Sequence, residues 1–258
     1  MRTWRFTLAT AVLAAITVLV ISCPALAQDG NPPDAVGLSP YWDEDVSRWE
    51  PIILEYARQR NLDPDLVAAV VWKESLGRPR DHSYAGAVGL MGIMPFEWRP
   101  SAKELENPWT NVFWGTGTLA HIVRDGNGDL FYSLAAYNGG WEKIHKRVPR
   151  RYATEVLGDY ARAIATRYGL PADGDWIAIL AIEGMPAPNT TTVIGPHHPL
   201  ARYTERPCDQ AEVYAVPDGV PPHATAVTFV DEQGVECHVN VWLVTADGVP
   251  LAPPTPAD

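Results

Sequence analysis

The pattern of apolar residues changes once along this chain, close to Pro171, and that change most constrains the fold. Before it, residues 46–170 place apolar side chains at the three- and four-residue spacing of amphipathic helices, and no segment alternates at strand period for long. After it come three segments rich in β-branched residues, at 211–216, 224–230 and 235–244. The sequence therefore predicts an α+β protein: a mainly α domain followed by a small β-rich C-terminal module.

The first 27 residues have the composition of a signal peptide. Two arginines precede an uncharged apolar run, and Ala25-Leu26-Ala27 supplies the small residues that a signal peptidase prefers. Two alternatives stay open, because Cys23 ends a lipobox-like sequence that would tether the protein by a lipid, and an uncleaved segment would anchor it directly. All three place the rest of the chain outside the cytoplasm, as a secreted, periplasmic or envelope-associated protein.

Composition also sets the predicted boundaries of the remaining chain. A segment rich in Pro, Gly and Asp precedes the helical region, and a segment containing Pro, Thr and His follows it. The predicted parts are a first linker at 28–44, the helical domain at 45–170, a second linker at 171–200, the β module at 201–250 and a disordered tail at 251–258. Within the second linker, residues 176–183 fit either a strand or a helix.

The net charge, the cysteines and the histidines indicate which partners, disulfides and metal sites to expect. The formal net charge is -11 and no basic stripe is present, which argues against a nucleic-acid partner. Cys208 and Cys237 lie outside the export segment, and in an oxidising compartment we expect them to form a disulfide. The seven histidines form no convincing ligand set, although His197-His198 is a candidate metal pair. We therefore expect no metal and no cofactor, and a monomeric protein.

One helix with clear ends carries the first candidate catalytic residue. Asp63 is suited to the N-cap and Pro64 to the first helical position. Gly77 is the predicted stop after a helix that ends near Ser75. Glu74 is therefore the penultimate residue of the predicted helix.

Glu74 continues the apolar face that Val70 and Val71 form one turn earlier. A glutamate near a helix end is usually a solvated surface residue. A carboxyl held against an apolar wall instead loses solvation, so its pKa rises and it can hold a proton near neutral pH. Such a group can protonate a glycosidic oxygen. Lys73 points to a different side of the helix, so it need not cancel this shift.

The uncharged segment 83–95 contains three glycines and two alanines, and we expect a loop followed by a short helix there. Small residues let a backbone approach another surface closely. Tight packing under a helix would explain them, and so would the floor of a substrate groove. Both explanations can hold together, because a groove floor is also a packed surface.

Several of these residues, taken in order, resemble the soluble lytic transglycosylase family. The matching positions are Glu74-Ser75, Ser83, Gly86-Ala87-x-Gly89-Leu90-Met91-x-x-Met94-Pro95, Asn111 and Ala136-Tyr137-Asn138-x-Gly140. Order and spacing agree over residues 53–168. The resemblance implies a lysozyme-like α fold acting on the glycan strands of peptidoglycan. It also implies cleavage of the bond between N-acetylmuramic acid and N-acetylglucosamine without water, which leaves a 1,6-anhydro end.

The resemblance implies roles for individual side chains. Glu74 matches the catalytic acid/base, and Ser83 matches a serine that hydrogen-bonds near the catalytic centre. Met94 and Tyr137 match residues that line the muramic acid subsite, and Asn138 belongs to the same motif as Tyr137. These five positions are the predicted catalytic and substrate-binding residues.

Two further positions qualify the resemblance. Asn111 matches a mostly structural position that opens a helix. Gly92 departs from the family, which usually has glutamine directly after Leu-Met. Because glycine has no side chain to offer the substrate, either another group makes that contact or this subsite is looser.

Two other functions fit the same residues. A goose-type-lysozyme-like muramidase would hydrolyse the same bond, and an inverting hydrolase needs a second carboxylate about 6.5–9.5 Å from the acid. Asp81 is the candidate for that carboxylate, although beside Arg78 and Arg80 it also fits a solvated loop acid. The third function is a non-catalytic peptidoglycan-binding protein that kept the groove. In the β module, Trp242 fits either sugar stacking or a packed core.

Overall fold

The computed structural model describes residues 37–183, 191–197 and 214–252, in which seven α-helices precede a four-stranded antiparallel sheet. The helices are α1 (Glu44–Ser47), α2 (Glu50–Gln59), α3 (Pro64–Ser75), α4 (Ala102–Leu105), α5 (Pro108–Asp125), α6 (Leu130–Gly139) and α7 (Arg147–Arg167), with a 3₁₀ turn at Trp141–Lys143. The strands are β1 (Trp176–Ile182), β2 (Thr192–Ile194), β3 (Ala224–Val230) and β4 (Glu236–Thr245). The predicted α+β class is confirmed.

Helix α3 has the ends that the sequence predicts. The Asp63 carboxylate caps it by accepting a hydrogen bond from the Asp65 amide at 2.8 Å, and Pro64 opens the first turn. At the other end Leu76 adopts a left-handed conformation with φ +52°, followed by Gly77 with φ +73°. Glu74 therefore lies in the last turn of a helix that packs against α7.

Segment 83–95 is folded differently from the prediction, because it contains no helix. Val88 instead forms isolated β-bridges with His82 and Ile93. The expected short helix was wrong for a simple reason: Gly86, Gly89 and Gly92 all have positive φ, from +60° to +91°. A right-handed helix needs negative φ at every residue, so the same glycines that permit these turns exclude it.

The sheet has the order β2-β1-β4-β3. Strands β3 and β4 form the predicted hairpin, whose turn is closed by the Asp231 amide donating to the Val235 carbonyl at 2.9 Å. The Asp231 carboxylate also accepts from the amides of Gln233 and Val235. The predicted strand at 211–216 lies partly outside the described residues, and its described part, 214–216, is not a strand, although Tyr214 is buried.

Strand β1 lies inside the predicted linker 171–200, and this is the largest difference between the sequence prediction and the fold. It pairs with β4 from Trp176 opposite Thr245 to Ile182 opposite Val239. All seven of its residues are buried, with one face toward the helices and the other toward a smaller cluster around Trp242. A strand buried on both faces shows no alternation of polar and apolar residues, so its period is hidden in the sequence.

The sheet continues the helical region through backbone pairing. Leu62, between α2 and α3, forms a β-bridge with Val227, and the Asp63 amide donates to the Ala226 carbonyl at 2.9 Å. The Thr228 amide donates to the Asn61 carbonyl at 3.0 Å. Strand β3 is thereby attached directly before the helix that carries Glu74.

Three further predictions concern the export segment and the C-terminal region. Trp242 is a core residue, since it is buried and its indole donates to the Val220 carbonyl at 2.9 Å. Cys237 is a buried free thiol, while Cys208 lies outside the described residues, so the disulfide stays a prediction. The export segment also lies outside them, and none of the described helices combines the length and hydropathy that a membrane span requires.

Candidate active site

The Glu74 carboxyl lies partly buried between α3, α7 and segment 83–95. The Tyr152 hydroxyl, on α7, donates a hydrogen bond to Glu74 Oε1 at 2.7 Å. Within the described part of the chain, no hydrogen-bond donor reaches Oε2. One oxygen of the carboxyl is thus held in place, and the other is available for a proton.

Burial raises the pKa of Glu74 from 4.5 to about 7, even though the hydrogen bond from Tyr152 and the charge of Lys73 act in the opposite direction. Lys73 has the smallest influence of the three because it turns away from Glu74 and forms an ion pair with Glu155 of α7. The sequence predicts both the raised pKa of Glu74 and the orientation of Lys73 away from it. At neutral pH a large fraction of Glu74 is protonated, as a general acid requires.

Gly92 forms the surface against which Glu74 rests. A Cβ atom at position 92 would lie 2.3 Å from Glu74 Oε2, and the backbone there has φ +60°. Both the contact and the conformation therefore favour glycine. The space that a side chain at position 92 would need is occupied by the Glu74 carboxyl itself, and how this position contacts the substrate stays a prediction.

Two buried polar side chains hold segment 83–95 against the helices. Ser75 donates through Oγ to the Leu90 carbonyl at 3.0 Å. Asn111 Nδ2 donates to the Val88 carbonyl at 2.7 Å, and its Oδ1 accepts from the Met91 amide at 2.7 Å. Asn111 thus has the structural position that the sequence predicts, although Asn107 rather than Asn111 caps α5.

Tyr137 contacts the motif that contains Gly92, and Met94 belongs to that motif. The Tyr137 hydroxyl donates to the Met91 carbonyl at 2.8 Å. Burial, followed by the nearby charge of Glu74, raises the pKa of Tyr137 well above its usual value, so it stays a neutral donor. Met94 is partly exposed. Their predicted contact with muramic acid stays a prediction.

Ser83 and Asp81 are tied to their own loop. The Ser83 hydroxyl oxygen accepts from the Ala87 amide at 2.9 Å, and among the described residues Ser83 and Glu74 form no hydrogen bond with each other. The Asp81 carboxylate forms an ion pair with Arg78 at 3.6 Å. Asp81 therefore has the environment of a surface loop acid with a cation beside it.

Asn138 is exposed and lines a cleft that Tyr152 and Lys73 also line. Of the predicted substrate-binding residues, Asn138 is the one that lines this cleft next to the Glu74 site. For the candidate metal pair, His197 Nε2 is 3.2 Å from the Asp173 carbonyl oxygen, and His198 lies outside the described residues.

Tyr152 is the residue at this site that the sequence prediction missed. It lies 78 positions after Glu74, on a helix whose sequence reads as an ordinary amphipathic one. A tyrosine on the buried face of a helix is usually a core residue, and Tyr152 is indeed buried. Its position in the sequence after the Ala136-Tyr137-Asn138 motif does not indicate that its hydroxyl contacts Glu74.

Comparison with known proteins agrees with this geometry. The family model described as "Transglycosylase SLT domain" matches residues 51–156, which include Glu74, segment 83–95, Tyr137 and Tyr152. This region of the chain belongs to the transglycosylase SLT family. The SLT region therefore covers nearly all of α2, the whole of α3 to α6 and the first half of α7, and it ends before the sheet begins.

Curated relatives of the SLT region include a protein named transglycosylase from Enterobacteria phage PRD1, 41% identical over 98 residues, covering 36% of this chain and 35% of the relative. Another is the endo-type membrane-bound lytic murein transglycosylase A of Klebsiella pneumoniae, 30% identical over 131 residues, covering 44% of this chain and 60% of the relative. The chain thus spans between about a third and three fifths of the length of these two relatives.

Among solved structures, the 70 kDa soluble lytic transglycosylase of Escherichia coli is 22% identical, with a TM-score of 0.42. That match covers 51% of this chain and 27% of the other. The family assignment accordingly depends on the sequence matches to the SLT region.

Proposed function

We propose that this protein is a peptidoglycan lytic transglycosylase that cleaves the β-1,4 bond between N-acetylmuramic acid and N-acetylglucosamine. The single observation that carries the proposal is Glu74, whose carboxyl is partly buried, has a pKa of about 7 and has an Oε2 that no donor of the described residues reaches. Membership of the SLT region in its family supports the same activity. Residues 45–170 would be the catalytic domain.

The chemistry needs only one carboxyl. Protonated Glu74 gives its proton to the bridging oxygen, the bond from that oxygen to C1 of muramic acid breaks, and C1 becomes oxocarbenium-like. The Glu74 carboxylate then takes the proton from the C6 hydroxyl of the same sugar, whose oxygen bonds to C1. This closes the 1,6-anhydro ring and returns Glu74 to its starting state. A nucleophile on the same ring has a proximity advantage over water.

The Tyr152 hydroxyl would keep the carboxyl in place during both proton transfers. Burial, followed by the charge of Glu74, raises the pKa of Tyr152 well above its usual value, so this hydroxyl donates and does not compete for the proton. Ser83, Met94, Tyr137 and Asn138 are proposed to contact the substrate.

Hydrolysis by a goose-type-lysozyme-like mechanism is the second candidate, and Asp81 would have to orient the water. Its ion pair with Arg78 speaks against that role, because it directs the carboxylate to a cation of its own loop. The third candidate, a binding protein without activity, is disfavoured because Glu74 combines a raised pKa with an oxygen, Oε2, that no donor of the described residues reaches, and a passive groove gains nothing from such a carboxyl.

Product mass from purified sacculi tests these functions. The wild-type protein should release fragments with anhydro ends, which are lighter by one water than reducing ends. Glu74→Gln should lower the release rate by about 10²–10⁴-fold, the usual contribution of a general acid/base. Glu97→Gln, at an exposed loop position, is the matched control and should act at the wild-type rate.

Reducing ends alone would replace the transglycosylase by the hydrolase, and Asp81→Asn would then have to abolish release. Undiminished release by Glu74→Gln would remove Glu74 from the mechanism. Binding to sacculi without release of any fragment would leave the non-catalytic protein.

We also propose that the protein acts at the cell envelope. The composition of the first 27 residues supports export, and the names of relatives such as the membrane-bound lytic murein transglycosylase E of Buchnera aphidicola support a site at the membrane. Cleavage after Ala27 and a lipid on Cys23 give different mature masses, so intact-mass measurement of the processed protein distinguishes them. The Cys208–Cys237 disulfide is part of the same proposal, since it requires an oxidising compartment.

A further inference from the structure

Helices α2 and α5 and residues 96–99 carry an aromatic surface that the proposed reaction does not use. Its rings contact one another with centroids 5.5–6.4 Å apart, in the order Trp109, Tyr56, Phe113, Trp114, Trp98 and Phe96. Four of them are exposed, from 39% for Phe113 to 67% for Trp98. Large apolar side chains that are exposed next to one another mark a surface that another molecule covers, whereas scattered ones do not.

Two arginines lie over these rings. Arg99 is 4.6 Å from the centroid of Trp98, and Arg60 is 5.2 Å from the centroid of Phe113. The ion pairs in the described part of the chain involve other arginines but not these two. The Nε atom of each is buried without a hydrogen-bond partner among the described residues. The aromatic surface therefore offers two cations that no carboxylate of the described fold neutralises.

Both arginines line a cleft of about 400 Å³ in the aromatic surface. None of the side chains that line it in the described part of the chain is a carboxylate or an amide. Those are the side chains that accept hydrogen bonds from sugar hydroxyls most readily, whereas guanidinium groups only donate. The arginines also cover one face of Trp98 and of Phe113, where a sugar ring would stack. The cleft therefore suits an apolar ligand with an anionic group better than a glycan.

The beginning of the described chain lies on the same helix as part of the aromatic surface. The Leu38 amide donates to Glu50 Oε2 at 3.1 Å, in the first turn of α2. Tyr56 follows about 9 Å further along that helix. Gly37 comes 14 positions after Cys23, and a chain of that length spans at most about 50 Å. A lipid on Cys23 would therefore have to lie within that reach of α2.

We propose that the aromatic surface docks on the anionic phospholipids of a membrane, with Arg60 and Arg99 on lipid phosphates. Tryptophan side chains favour the membrane–water interface, and arginine binds phosphate through two parallel hydrogen bonds. The inference rests on the proposed export of the chain and is independent of the proposed reaction. Such a contact would orient the folded domain against the membrane, which a lipid anchor alone does not do.

Sedimentation with phospholipid vesicles tests the docking surface, using the chain cleaved after Ala27 so that no anchor contributes. Residues 31–258 form a compact unit, so this chain keeps the described fold. It should bind vesicles of equimolar phosphatidylcholine and phosphatidylglycerol. Trp98→Ser should lower the partition coefficient about tenfold, because an exposed ring that enters the interface is lost. Trp141→Ser removes an exposed tryptophan outside the aromatic surface and should bind like the wild-type protein.

Arg99→Gln tests the charge separately from the rings. It should weaken binding to the anionic vesicles about fivefold and leave binding to pure phosphatidylcholine unchanged. Arg58→Gln is an equal charge change on α2, at an exposed residue that pairs with Glu55, and its effect should be smaller. Equal losses in the two variants would contradict a specific role for Arg99.

Sacculus assays keep this inference separate from the proposed function, because Trp98→Ser should release fragments at the wild-type rate. The membrane site would be overturned if the wild-type protein bound no vesicles, or if Trp98→Ser and Trp141→Ser bound them equally. Vesicle binding that survived in Trp98→Ser while its affinity for sacculi fell would make this a glycan surface. Dimers that Trp98→Ser dissociated, without vesicle binding, would make it an interface between two copies of the chain. Trp109→Ser, at the other end of the series of rings, repeats the test if Trp98→Ser does not fold.

Discussion

The two ends of helix α3 both bury carboxylates against α7, and they differ in how the oxygens are used. At the first end, Asp65 is fully buried and Oδ1 accepts from the Ser39 amide at 2.9 Å and the Trp42 indole at 2.8 Å. Asp65 Oδ2 forms an ion pair with Arg167. At the other end, donors in the described residues reach only Oε1 of Glu74.

The comparison shows that a raised pKa alone does not identify a catalytic carboxyl. Burial and the charge of Asp65 also raise the pKa of Asp63 to about 7. Both of its oxygens are nevertheless occupied, by the Asp65 amide at 2.8 Å and the Tyr160 hydroxyl at 3.1 Å. What distinguishes Glu74 is an oxygen without a donor, next to an open cleft.

The largest effect in this comparison should follow from breaking the buried ion pair. Asp65→Asn leaves Arg167 without its anion and should lower the free energy of unfolding by about 3–5 kcal/mol. Urea denaturation measures this loss. Asp45→Asn breaks an exposed ion pair with Arg48 and should cost less than about 1 kcal/mol. Equal losses in the two variants would contradict the structural role given to Asp65.

A pair of tyrosines on α7 tests whether the two ends differ in chemistry. Tyr152→Phe removes the donor to Glu74 and should lower kcat/KM by about tenfold. Because that hydrogen bond lowers the pKa of Glu74, its loss should also raise the pKa. Activity should fall in the wild-type protein as the pH rises through about 7, since the acid must be protonated, and this limb should move to higher pH in the variant.

Tyr160→Phe is the matched control, because it removes the donor to Asp63 at the other end of the helix. It should cost about 1 kcal/mol of stability and leave the pH profile unchanged. If the alkaline limb of the pH profile moved in Tyr160→Phe, or did not move in Tyr152→Phe, the proposed chemical difference between the two ends of α3 would be contradicted.

The smallest predicted effect concerns the backbone under Glu74. Gly92→Ala should cost about 1 kcal/mol for its positive φ and, in addition, lower activity about fivefold by pushing Oε2 away. Gly86→Ala has the same kind of strain, with φ +91° and nothing within 4 Å of the new Cβ. Thermal unfolding should shift similarly in both, and activity measured on sacculi should fall only in Gly92→Ala.

Local chemistry made part of this molecule predictable from its sequence. Asp63, Pro64 and the left-handed residues after Ser75 set the limits of α3 by capping rules that need no tertiary contact. The turn between β3 and β4 follows in the same way from Asp231 and its neighbours. The spacing of Val70, Val71 and Glu74 was enough to predict the direction of the pKa shift.

The contacts that could not be predicted are long-range. Tyr152 meets Glu74 across 78 positions, and Arg167 meets Asp65 across 102. Strand β1 became a strand because β4 pairs with it and because the helices and the cluster around Trp242 cover its two faces, and that burial is a property of the fold rather than of its own seven residues. Gly92 was identified as unusual, but its role could be understood only once Glu74 was located against it.

The most direct test of the central claim is the ionisation of Glu74 itself. A ¹³C NMR titration of the glutamate side-chain carboxyls, with the Glu74 signal assigned by its loss in Glu74→Gln, measures the pKa without any substrate. The account predicts a midpoint near 7, caused by burial without a neutralising cation. A midpoint near 4.5 would mean that Glu74 is an ordinary ionised carboxylate at neutral pH, which would contradict its assignment as the general acid.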